Sequence, residues 1–182
     1  MTEQQQPIAH TENWVRQVIM KYNLCPFARQ EVERGSIRYV MTDDPQPAAV
    51  LETLMAEFHV LDEQPEVETT LLIIPRGFEG FYPYLDLVDL ADALLCEQGY
   101  EGCYQLASFH PDYCFEGEPQ DDVANYTNRS PYPTLHIIRE ASMEQALDQY
   151  DQPESIPERN IEFARRRGRD FFVQLLAQCV KP

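Results

Sequence analysis

Hydrophobic positions change their spacing several times along the chain, and each change marks an element. Trp14, Val15, Val18, Ile19 and Tyr22 recur every three or four residues, which predicts a helix from Thr11, a good N-cap residue, to about Asn23. Residues 1–10 are polar and patternless, so a loose tail is expected ahead of a single domain spanning 11–182. Proline suits the first turn of a helix and restricts the residue before it, so 26–34 reads as a second helix with Cys25 as its cap and Gly35 past its end. SIRYVMT (36–42) alternates β-branched and aromatic residues and predicts a strand. Leu51, Leu54, Met55 and Phe58 then place a helix over about 48–61. TTLLII (69–74) is an almost unbroken apolar run, as in a strand covered on both faces, and Pro75-Arg76-Gly77 ends it. Leu85, Val88, Ala91, Leu94 and Leu95 mark a helix ending at Gly99, and CYQLASF (103–109) is a third strand. TLHIIR (134–139) is a fourth strand and 143–150 a short helix. Ser155-Ile156-Pro157-Glu158 offers a capping box for a last helix running through Ile161, Phe172 and Leu175 to Cys179.

Strands and helices that alternate at such short separations require parallel neighbours joined by right-handed crossovers. The expected fold is α/β (or α+β): a single-domain layered sandwich whose mixed, mainly parallel sheet of about four strands is packed by helices. Residues 110–132 show no periodicity, and an irregular connection of about 20 residues inside a domain points to a functional loop or a missed element. The functional loop is the reading adopted. If that loop stays local, the fourth strand runs antiparallel to the third.

Size and charge narrow the possible functions. A chain of 182 residues can bury roughly 70% of its unfolded surface and needs neither disulfide nor metal for stability. Lys and Arg number 14 against 31 Asp and Glu, a net charge of −17 that repels phosphate backbones and anionic lipid. Nucleic acid and membrane are therefore excluded as expected partners. There is no secretory pattern at the N-terminus and no apolar run of membrane-spanning length, which predicts a cytoplasmic protein. Five cysteines, an odd number, favour reduced thiols over a disulfide framework.

Candidate chemistry gathers where the strands end, because loops leaving the carboxyl edge of a parallel sheet are free to vary while the strands hold their bases. That rule selects Met41 to Asp44, Arg76 and Gly77, and Ser108, His110 and Asp112, with Asn128, Arg129 and Ser130 at the far end of the long loop. Arg129 lies in TNRSPYP, fenced by Pro131 and Pro133, and its planar fork suits a carboxylate or phosphate. The same arginine could instead pair with the loop's own Glu116, Glu118, Asp121 or Asp122 and hold the loop shut. His110 is the candidate acid or base, His136 either a second one or a satisfied core histidine, and Cys25 a candidate nucleophile if a helix N-terminus lowers its pKa. Cys25, His110, Cys114 and His136 could form a zinc set, but paired metal-ligand spacing is missing, and no metal or other cofactor is expected. Arg165, Arg166, Arg167 and Arg169 read as a solvated face that neutralises acidic loops, while Phe78 to Tyr84 (FEGFYPY) form an aromatic loop that could dock a partner.

NLCPFA (23–28), SFHPDYCFEG (108–117) and NRSPYPTLHIIRE (128–140) together resemble an uncharacterised bacterial family, a domain of unknown function, over about residues 11–178. The resemblance implies that these motifs are the family's signature and carries no activity, cofactor or substrate. Two functions stay open: an enzyme acting on a small anionic metabolite at a His/Arg, and possible Cys, site, or a non-catalytic ligand-binding or interaction module using the same rim or the aromatic loop.

Overall fold

The computed structural model describes residues 5–181. Helix α1 (Gln5–Trp14) continues as a π-helical turn (Val15–Met20) and is followed by α2 (Ala28–Arg34), β1 (Ile37–Met41), α3 (Pro47–Glu63) and β2 (Thr69–Ile73). Next come α4 (Phe81–Glu97), β3 (Tyr104–Phe109), a 3₁₀ turn (Val123–Thr127) and β4 (Thr134–Arg139). The chain ends with α5 (Glu140–Asp148), a second 3₁₀ turn (Pro153–Ser155), α6 (Ile156–Arg167) and α7 (Arg169–Cys179).

The four strands form one mixed sheet in the order β1-β2-β4-β3. β1 and β2 pair in parallel, with Tyr39 opposite Leu71, and β4 runs antiparallel to both β2 and β3. Three strands therefore share one direction, as the crossover pattern requires, but β3 is not the neighbour of β2. The chain returns after β3 and inserts β4 between them, so only one pairing in the sheet is parallel.

The strand period of two splits the sheet into two faces. Leu72, Ile74, Leu135, Ile137 and Tyr104 turn to one side and pack with Leu54, Phe58 and Leu61 of α3 and Tyr84, Leu87 and Ala91 of α4. Leu71 and Tyr39 turn to the other, against Trp14, Val15 and Val18 and against Leu175 and Cys179 of α7. All five residues of β2 are buried, which is why TTLLI shows no alternation.

Several boundaries depart from the sequence reading. The expected tail is helical from Gln5, and the Thr11 hydroxyl donates to the Pro7 carbonyl at 2.8 Å instead of capping a helix. This end is tied down by His10, whose ring stacks on Tyr132 and bonds its hydroxyl at 2.9 Å. The first four residues of the expected tail lie outside the described residues. α2 starts at Ala28 rather than Pro26, so Cys25 precedes it by a turn and is not its cap. α4 starts at Phe81, which takes most of the aromatic stretch into its first turn. The long C-terminal helix is two, because Gly168 adopts φ 80° and ψ 165°, a backbone region open essentially to glycine alone. Ser155 makes no capping bond to α6; its hydroxyl donates to Gln152.

Candidate functional site

The C-terminal ends of β1, β2 and β3 and the N-terminal end of β4 meet at one edge of the sheet, and the loop 110–133 folds back over it. The β3–β4 pairing extends into this loop: His110 donates its amide to Asn128 and Ser130 donates to His110, each at 3.4 Å. His110 itself is fully buried. Its Nε2–H donates to the Phe78 carbonyl at 2.9 Å and its Nδ1 accepts the Asp112 amide at 2.9 Å, which fixes one neutral tautomer. Burial holds its pKa below the ordinary histidine value, ahead of the opposing effect of Phe78 and Asp112. Both ring nitrogens are engaged with main chain, so the ring pins the exit of β3 to the entrance of α4 and has no nitrogen left for a substrate proton.

A second buried polar side chain organises the loop. Asn125 accepts the Phe115 amide at 3.0 Å through Oδ1 and donates to the Pro119 carbonyl at 2.9 Å through Nδ2. Asp122 caps the 3₁₀ turn by accepting from Ala124 at 2.8 Å. These bonds shape the stretch 113–125 around a core of its own amides, and they turn the carbonyls of Tyr113 and Gln120 towards Arg129.

Arg129 is only 9% exposed. Nε donates to Tyr113 at 3.2 Å and Nη2 to Gln120 at 3.0 Å, and the guanidinium lies 4.4 Å from the Tyr126 ring centre. Tyr126 in turn stacks on Phe172 of α7. The alternative in which Arg129 pairs with Glu116, Glu118, Asp121 or Asp122 is not realised. Arg165 of α6 takes Asp122 at 2.7 Å and Glu118 at 3.4 Å, and it holds the Asp122 carboxyl below its usual range. Among the described residues Arg129 has no carboxylate partner and its Nη1 has no hydrogen-bond acceptor. It faces a hollow of about 290 Å³ lined by Asp112, Gln120, Asp121, Tyr126, Arg129 and Arg169.

The other expected residues lie elsewhere. Asn128 and Ser130 hold the loop, Asn128 through its carbonyl and Ser130 through a 2.6 Å bond from its hydroxyl to Tyr132. Arg76 is exposed and donates to the Asp43 carbonyl at 2.8 Å; it does not line the hollow. His136 sits mid-strand, where its Nε2–H donates to Thr69 Oγ1 at 2.6 Å while that hydroxyl donates to Ile137. Burial pushes the His136 pKa down to about 4. The Cys25 thiol is pushed up by burial, which outweighs the amides of Phe27 and Ala28 and the charge of Arg159, so a thiolate is not favoured there. Cys25, His110, Cys114 and His136 do not converge: among the described residues no three His, Cys, Asp or Glu side chains are grouped as a metal would require. In the aromatic stretch Phe78 and Tyr84 are buried, Phe81 packs on His110 and Tyr113, and Tyr82 alone stands out, 78% exposed. No helix of the described residues is long and apolar enough to cross a membrane.

Spacing does not pick out Asn125, Gln120 or Tyr126, and it reads Arg169 as part of the solvated basic run, whereas the structure places Arg169 in the lining of the hollow. Gly168, an isolated glycine within a helical pattern, was the available signal for Arg169, because a break there frees the next residue from the basic face of α6.

Comparison with known families gives one result: the chain belongs to the family described as "Protein of unknown function (DUF1415)", whose model matches residues 6–174. Neither a curated protein nor a solved structure matches it.

Proposed function

We propose that this chain, as a member of a family whose function is unknown, binds a small anionic molecule in the hollow before Arg129. One observation carries the reading: a guanidinium nine-tenths buried, with no carboxylate partner among the described residues, faces a hollow of about 290 Å³. A buried cation is ordinarily matched by an internal anion, and here the match is left to something outside the chain. Two backbone carbonyls and a tyrosine ring fix its orientation beforehand, which lowers the entropy lost when a ligand docks. Arg169 adds a second positive charge on the same wall.

Binding is favoured over chemistry at this site. His110 has both nitrogens bonded to main chain, Cys25 has a raised pKa, and neither lines the hollow. The setting is a cytoplasm, whose reducing conditions suit a protein with an odd number of cysteines.

The test is calorimetric titration with inorganic phosphate and with short-chain carboxylates, on the wild type and on Arg129→Lys and Arg169→Ala. Wild-type binding is expected to weaken about tenfold or more in each variant, the loss for one charge-assisted contact. Affinities equal in all three proteins would remove the hollow as the site.

A further inference from the structure

We infer that the molecule held before Arg129 is a zwitterion in which a carboxylate is joined through a short link to an ammonium group. This deepens the anion-binding reading and rests on it. The support lies in the other residues of the same hollow.

Two arginines and two aspartates line it together. Among the acidic side chains of the loop, Asp122 and Glu118 are neutralised by Arg165, but Asp112 and Asp121 form no ion pair among the described residues. A simple anion entering to reach Arg129 would meet those two like charges. A ligand that also carries an ammonium turns both repulsions into attractions. Arg129 then takes the carboxylate at the buried end and the exposed aspartates take the ammonium nearer the mouth. Tyr126, ordered by Arg129 and Phe172, supplies carbon surface for the link between the two groups.

The charge of the whole molecule favours the same ligand. At −17 the protein repels a free anion at long range, and most strongly a phosphate dianion, whereas a species of zero net charge approaches without that penalty. A carboxylate is for that reason the better anionic end. Selection works through a matched pair of charges, and a ligand lacking either one loses a contact at its own end of the hollow.

The experiment compares matched probes: glycine, 3-aminopropanoate, 4-aminobutanoate and 6-aminohexanoate against acetate, propanoate, butanoate and hexanoate. Each is titrated into ¹⁵N-labelled protein while the Arg129 Nε–Hε resonance is followed. Wild type is set beside the double variant Asp112→Asn, Asp121→Asn, whose side chains are exposed and absent from any internal ion pair among the described residues. At least one amino acid is expected to bind about fivefold more tightly than its parent acid, the yield of one exposed charge pair, with the advantage falling to about onefold in the double variant. A parent acid that moves the Arg129 resonance at equal or lower concentration would overturn the zwitterion and leave the anion site standing. An amino preference that survives both substitutions would also overturn it. Inorganic phosphate is titrated alongside: if it alone moves that resonance, the zwitterion is overturned and the anion site stands, and if phosphate and both series leave it unmoved, the anion site itself falls, and the zwitterion with it.

Discussion

Two guanidinium groups in this protein are surrounded in opposite ways. Arg38, on β1, donates from Nε at 2.7 Å and from Nη2 at 3.2 Å to Glu57 of α3, a carboxylate only 4% exposed that Thr70 also approaches. Charge, fork geometry and desolvation are all matched inside the chain. Arg129 is the more buried of the two, yet its neighbours are carbonyls and a ring, and the nearby carboxylates are bound by Arg165 or exposed in the lining of a hollow. The first arrangement closes on itself and serves the fold. The second orients a cation and leaves its counter-charge to come from outside.

Four measurements can break or sharpen that contrast. Breaking the closed pair has the largest effect: Arg38→Met leaves Glu57 buried without its cation and is expected to cost about 3 kcal/mol in urea denaturation, with no change in anion binding. Next comes acid. Below pH 6.5 the unfolded chain protonates His136 while the folded one, with its pKa near 4, does not, so the unfolded state binds more protons and stability falls as pH drops towards 4. The loss is about 2 kcal/mol once screening of the half-buried ring is included, and His136→Leu should flatten that part of a denaturation-midpoint profile. Arg129→Lys keeps the charge and removes the fork, so a titration with a bound probe should show about a tenfold affinity loss, near 1.4 kcal/mol. Equal affinity there would erase the distinction between the two arginines. The smallest effect belongs to Arg165→Ala, which opens a solvent-exposed clamp on the loop and should leave the urea denaturation midpoint nearly unchanged.

Residues that report on their immediate neighbours were readable from the sequence. TTLLII announces a strand buried on both faces because burial on both faces is what an unalternating apolar run means. The proline fence round Arg129 likewise pointed to an arginine worth holding still. What could not be read depends on partners distant in the chain. The insertion of β4 between β2 and β3 is a pairing choice, and no local pattern in TLHIIR encodes which strands will flank it. His110 looked like an acid or base because its type permits that role, but the carbonyl of Phe78 and the amide of Asp112 take both nitrogens, and only the fold brings Phe78 there. The hollow has the same origin, since Arg169 and Tyr126 reach one wall from segments more than a turn of sequence apart.

The glycine between the last two helices has a consequence for that wall. In an unbroken helix, positions 165 and 169 would sit one turn apart on a single stripe and compete for the same acidic neighbours. The kink at Gly168 ends the rivalry: one arginine fastens the loop through Asp122 and Glu118 while the other lines the open hollow beside it. Fastening and reception are thus governed from one joint, and a side chain forced into that backbone shape would upset both without touching a strand.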